Sequence, residues 1–246
     1  MAPSAASTSP YAVSSAAIPG ADRATIPYPN PASAMIYDIH THHHPALPGE
    51  AIVQLTPDAF CPQPGHFYSV GLHPWNIRND WRTQMAGLLV RALHPQVVMI
   101  GETGLDKKNG TASIEQQIEV FREHVRLSEL IRKPLIIHCV KAIDELLAIR
   151  KEMKPTLPWV LHGFRGGVKQ WQQLNRAGLY VSIGARFNQA LFKELPLSHL
   201  LLESDDHGDI DTVYRLVSDN TGIETSELRY HVAANTHSLL TAHLAK

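Results

Sequence analysis

The stretch VVMIGETGLDKKNGTASIEQQIEVFREHVRLSELIRKPLIIH, residues 97–138, contains two apolar runs separated by one long amphipathic segment. Val97, Val98, Met99 and Ile100 form a continuous apolar run, the pattern of a strand covered on both faces. Residues 113–131 then place Ile114, Ile118, Phe121, Val125 and Leu127 largely on one side of an α-helix. A second apolar run follows at 135–138. Strand, helix and strand in this order predict a parallel pair with the helix packed outside it.

The same alternation extends in both directions. Apolar runs at 36–39, 51–55, 67–71, 97–101, 135–138, 159–162, 179–183 and 200–203 give eight candidate strands. Helical periodicity is read at 81–93, 141–153, 168–176, 189–195, 210–218 and 226–244, the last with a break expected near Asn235. Eight strands joined by helices predict an α/β fold, a TIM-type (β/α)8 barrel. The links 43–50 and 56–66 are too short or too rich in proline for good helices. The barrel is therefore expected to be slightly abridged, with no helix after strands 1 and 2.

Composition sets the outer bounds. A chain of 246 residues with 44% hydrophobic residues is large enough for one such barrel. The formal net charge of −1 provides no global basic field for non-specific nucleic-acid binding. Cys61 and Cys139 make no disulfide framework, and no apolar stretch is long enough to span a membrane. These features predict a cytoplasmic protein with no membrane partner; oligomeric state is left open. Residues 1–34, rich in Ala, Ser and Pro and almost uncharged, are expected to be a disordered extension before a barrel domain at 35–246. Met35 stands directly before the first strand and is expected as an alternative start.

Histidine is abundant, at 15 residues, and several fall at strand ends. His40 and His42 share a face of the first strand by its period of two, as a bidentate site for a divalent metal would need. His43 and His44 extend the cluster only as far as Pro45. Glu102 lies in Gly101-Glu102-Thr103-Gly104 straight after an apolar run, where its two oxygens could bridge two metals; a turn glutamate is the blander reading. His138 and His162 each close a buried strand. One such histidine is usually a hydrogen-bonded core residue, but two on successive strands in register with Glu102 point to ligands. Cys139 faces away from His138 and is read as packing.

Asp205 falls where strand 8 should end, beside strand 1 in a closed barrel, so it can join His40 and His42 and accept a proton from the attacking water. Asp206 is its competitor, and Glu203 shares its face one step deeper. All six candidates sit at C-terminal strand ends, the catalytic face of such barrels. Arg78, Lys107, Lys108, Lys141, Arg165 and Arg186 lie in loops expected to border that mouth and would suit a phosphodiester. Trp75 is read as packing beneath the following helix, with stacking on a base as the alternative.

These residues resemble the TatD family of metal-dependent deoxyribonucleases, within the amidohydrolase-like barrels. The matching stretches are 38–42, 71–74, 101–106, 134–138, 160–164 and 202–205, with the helix 116–124 and Asn235 in support. The resemblance runs from about Met35 to the end of the chain. It implies two divalent ions (Mg, Mn or Zn), with His40, His42, Glu102 and Asp205 on one and Glu102, His138 and His162 on the other. It implies that His73 contacts substrate phosphate or water, and that Asp205 and Glu102 are catalytic. Arg165 and Lys107 complete the expected substrate-binding set. The implied activity is 3′-end trimming of DNA, or cleavage of another phosphodiester, by a water activated between two metals.

The chain also departs from the family. The segment between His42 and Gly71 is short, Gly163-Phe164-Arg165-Gly166 follows His162 where Cys-Phe-Ser-Gly is usual, and Asp206-His207 follows Asp205. The ligand set is intact while the substrate loops differ. The alternatives are an amidohydrolase acting on a C–N or lactone bond, which Glu102 in place of a carboxylated lysine disfavours, and a non-catalytic metal-binding barrel.

Overall fold

The computed structural model describes residues 34–45 and 47–242. The extension expected at 1–34 lies outside them, apart from its last residue. Eight strands form one all-parallel sheet in chain order: β1 Asp38–Thr41, β2 Ala51–Leu55, β3 Phe67–Val70, β4 Val97–Asp106, β5 Leu135–Val140, β6 Trp159–Leu161, β7 Leu179–Ile183 and β8 Leu200–Leu202. A parallel bridge between Thr41 and Asp205 joins the last strand to the first. The helices are α1 Trp81–Ala92, α2 Ile114–Ile131, α3 Ile143–Met153, α4 Val168–Arg176, α5 Ile210–Thr221 and α6 Thr225–Thr241. Among the described residues no helix stands between β1 and β2 or between β2 and β3, as the short proline-bearing links predict.

The strand period separates two packing layers. Ile52, Phe67, Ile136, Val160 and Leu201 belong to one buried cluster with Leu239 and Leu240 of α6. Two residues beyond Ile136, Val160 and Leu201, the same strand faces carry His138, His162 and Glu203. Alternate residues, including Leu135, Ile137, Trp159 and Leu161, pack in a larger cluster with Phe121, Val125, Leu146, Leu174 and Val213 from the helices. In α2 the Ser113 side chain accepts a hydrogen bond from Gln116 N, capping the helix, and Phe121 meets Trp159 edge-on with ring centroids 5.2 Å apart.

Three expectations are corrected. The segment 189–195 forms a 3-10 turn, Gln189–Lys193, because only seven residues separate the Asn188 cap from Pro196. The last helix runs unbroken through Asn235, whose amide donates to Leu197 O (2.7 Å) and Leu200 O (2.9 Å) and so serves tertiary packing rather than a helix end. Finally, β4 continues beyond Gly101 as far as Asp106. Glu102 is therefore inside a strand and not in a turn after one.

Candidate metal centre

The glycines around Glu102 have a steric cause. A Cβ on Gly101 (φ 139°) would lie 2.3 Å from Ile136 O, and one on Gly104 (φ 143°) would lie 1.9 Å from His138 O. Only a bare backbone lets β4 run this close to β5. The ladder shifts register between Ile100 and Thr103, and Glu102 sits in that irregularity. It is 4% exposed.

Five imidazoles surround its carboxylate. Glu102 Oε1 lies 2.7 Å from His162 Nε2, 2.9 Å from His138 Nδ1 and 3.2 Å from His73 Nε2. Glu102 Oε2 lies 3.5 Å from His40 Nε2 and 3.7 Å from His42 Nε2. Across the barrel seam, Asp205 Oδ1 is 3.7 Å from His40 Nε2 and 3.5 Å from His42 Nε2. His40, His42, His73, Glu102, His138, His162 and Asp205 thus meet at one mouth, from β1, β3, β4, β5, β6 and β8 or the residues just after them. Asp206 lies further out: its side chain is 85% exposed and 3.9 Å from His42, and its carboxylate could share an ion with His42 and Asp205.

The electrostatics follow from this packing. Burial works against ionising Glu102, but the charge of His162 and hydrogen bonds from His138 and His162 hold it well below the usual carboxylate range. His162 is pushed well above the ordinary imidazole value: burial opposes its charge, and Glu102 and Glu203 overcome that. Burial also disfavours the charge of Asp205, yet the bond from His42 and the nearby His162 and His40 bring it down to about 2.

The donor set fits divalent cations. His40 is fully buried, and neither ring nitrogen has a hydrogen-bond partner. Such an orphan is costly unless something other than hydrogen meets it. Two ligand atoms each about 2.1 Å from a common ion lie roughly 3.0–3.4 Å apart. The separations around His40, Glu102 and Asp205 are close to that, and the field that favours a protonated His162 equally favours a cation. His40, His162 and Asp205 form one group whose donor atoms could share an ion, as do His40, His42 and Glu102, and His73, Glu102 and His138.

Two carboxylates were not singled out from sequence. Asp106 Oδ2 accepts from Trp75 Nε1–H at 2.6 Å and lies 3.1 Å from His138 Nε2, so His138 is gripped between Asp106 and Glu102. Burial of Asp106 is outweighed by bonds from Trp75, Lys108, Asn109 and His138, which bring it down to about 2. Asp38 accepts from Ser204 N (3.1 Å), Ser204 Oγ (2.6 Å) and His40 N (3.2 Å), tying strand 1 to strand 8 beneath the mouth. Burial, against those bonds, raises it to about 7. Glu203 lies 3.5 Å from His162 Nδ1 and accepts from Ser182 Oγ, the deeper position its spacing predicts.

The basic residues fare differently. Lys107 Nζ bonds Glu145 Oε1 at 2.5 Å, which ties it to α3. Arg165 is exposed in the loop after β6. Among the described residues neither forms an ion pair with Glu102 or Asp205. His43 and His44 turn away, to Asp206 O (3.0 Å) and Tyr68 OH (3.2 Å). Trp75 does not pack beneath α1; it is 49% exposed and meets His73 edge-on. Cys139 is half-buried, and burial pushes its thiol up to about 12, in keeping with a packing role.

A family model described as TatD related DNase matches residues 61–240. The chain is 34% identical over 155 residues to a 3′-5′ ssDNA/RNA exonuclease TatD of Erwinia billingiae, covering 58% of this chain and 59% of that protein. It is 28% identical over 147 residues to YabD, an uncharacterized metal-dependent hydrolase of Bacillus subtilis, covering 56% and 58%. The chain thus spans somewhat under three-fifths of these curated relatives. The crystal structure of YjjV, a TatD homologue from Escherichia coli, superposes with TM-score 0.70 at 21% identity, covering 84% of this chain and 98% of that one. A TatD family hydrolase of Entamoeba histolytica gives 0.67 at 16% identity, with the same coverage. At these identities the structural likeness is one of fold.

Proposed function

The chain belongs to the TatD-related DNase family, and from this we propose that it is a metal-dependent hydrolase that trims single-stranded nucleic acid from the 3′ end. The supporting observation is the Glu102 carboxylate, buried and approached within 3.7 Å by five imidazoles. In this reading His40, His42, Glu102 and Asp205 hold one divalent ion, and Glu102, His138 and His162 the other. A donor set this rich in imidazole suits Zn better than Mg. The relatives named as exonucleases support a nucleic-acid substrate.

The chemistry supplied by two bound divalent ions is neutralisation of phosphate charge and acidification of the attacking water. Asp205, held ionised and with its side chain 29% exposed at the mouth, takes the proton from that water. His42 keeps the Asp205 carboxylate oriented. His73 reaches the same centre from the loop after β3 and orients the phosphate or the water. Arg165 and Lys107, on the loops after β6 and β4, meet phosphates further along the strand. Among the described residues no helix is long and apolar enough to cross a membrane.

The test is a 5′-labelled single-stranded oligonucleotide offered to purified protein with Mn2+, Zn2+ or Mg2+. Stepwise shortening from the 3′ end that Asp205→Ala abolishes is the expected result. No cleavage with any of these ions, or cleavage that survives Asp205→Ala, would overturn the proposal. A dihydropyrimidine amide in the same assay tests the C–N hydrolase alternative.

A further inference from the structure

The flank of the mouth next to β2 and β3 is open because no helix follows β2. A cavity of about 360 Å3 lies there, within the range of small-ligand pockets, and Thr56, Leu72, Trp75, Asn76 and Thr111 line it. We propose that Trp75 and this cavity form a subsite for a nucleobase next to the bond that is cut. The inference rests on the nuclease reading above for its substrate class.

The argument begins with exposure. Trp81, Trp159 and Trp171 are buried at 7%, 0% and 8%, whereas Trp75 is 49% exposed. Its pyrrole edge is fixed: Nε1–H donates to buried Asp106, and Cδ1 lies against Gly110, where a Cβ would come within 3.3 Å. The rest of the side chain stays half-exposed where it lines the cavity. A rigid, half-exposed indole is a stacking platform with little freedom left to lose on binding. It is also one side chain from the candidate metals. Its ring lies 4.7 Å from that of His73 and 5.7 Å from that of His138, both of which touch Glu102. A phosphate at Glu102 therefore puts a neighbouring base within reach of Trp75. Stacking accepts any base, while the Asn76 amide and Thr111 hydroxyl offer polar groups to its edge.

The experiment compares an intact oligonucleotide with one carrying abasic sites at its last two 3′ positions. The wild type is expected to trim the intact strand roughly tenfold faster in kcat/KM. That ratio should collapse toward one in Trp75→Leu and persist in part in Trp75→Phe, which keeps an aromatic face, smaller than the indole, without the N–H. Because each ratio is taken within one enzyme, a general loss of activity does not imitate the effect. Quenching of tryptophan emission by a free mononucleotide, lost in Trp75→Leu, reads the subsite without turnover. A wild type indifferent to the abasic strand, or a Trp75→Leu enzyme that still discriminates, overturns the subsite while trimming leaves the nuclease reading standing. Quenching without any trimming keeps the subsite and removes the nuclease reading. Absence of both removes both.

Discussion

Asp205 is hydrogen-bonded to His40 through the backbone: its N–H donates to His40 O at 3.0 Å, and its own carbonyl accepts from His42 N–H at 3.2 Å. The seam that closes the barrel and side chains whose donor atoms could share an ion are thus the same few residues. Closing the sheet assembles the site. Asp205 holds φ at 51°, in the left-handed region.

That backbone separates two substitutions. Asp and Asn tolerate the left-handed region, and alanine does so less well. Both Asp205→Asn and Asp205→Ala should lose roughly 100- to 10,000-fold in kcat. Since both remove the charge, their difference in stability isolates the backbone. The alanine variant should be less stable by about 1 kcal/mol in urea unfolding; equal stabilities would show that this conformation carries no such preference.

Asp106 should act on metal affinity. It holds the outer nitrogen of His138 while Glu102 faces the inner one, the relation by which an outer carboxylate orients a ligating histidine. Asp106→Asn is expected to weaken one of two bound ions by roughly 10- to 100-fold in a calorimetric titration and leave the other. Trp75→Phe, which removes the indole donor to Asp106 but leaves the carboxylate, should keep both ions. Unchanged binding in Asp106→Asn would separate this carboxylate from the centre.

His124 gives a pH dependence of folding stability. It is fully buried, its Nε2 accepts from Leu72 N–H at 3.0 Å, and its Nδ1 pairs with Val120 O at 2.8 Å. Burial, only partly opposed by the Val120 bond, lowers it from 6.5 to about 4. The unfolded chain takes up this proton as pH falls below 6.5, and the folded chain does not until near 4, so stability is lost across that window on acidification. Between pH 7 and 5 the loss from this group is about 2 kcal/mol. His124→Gln, which can still accept from Leu72 N–H, should show that much less acid sensitivity. An identical pH profile in the variant would contradict it.

The strands were legible because burial on both faces writes continuous apolar runs, and Glu102 stood out because glycine on either side of a carboxylate has no place in a packed core. The ligand candidates were legible because the strand period fixes which residues share a face. Asp106 was not, since Asp106-Lys107-Lys108-Asn109-Gly110 reads as a turn, and its partner His138 is visible only once β4 lies against β5. Asp38 was hidden for the same reason: Ser204 is 166 residues away. Trp75 was read as packing because nothing local tells an indole that its N–H will be drawn to a carboxylate 31 residues on. The break expected near Asn235 does not form, and the partners of its amide, Leu197 O and Leu200 O, lie across the fold where local sequence does not show them.

Metal stoichiometry tests the centre most directly. Metal-free protein titrated with Zn2+ or Mn2+ under native mass spectrometry should take up two ions per chain, and Glu102→Ala, which removes the carboxylate between both groups of imidazoles, should lose tight binding of both. A wild type that binds neither metal, or a Glu102→Ala chain that still holds two ions as tightly, would contradict a shared carboxylate at the heart of the site.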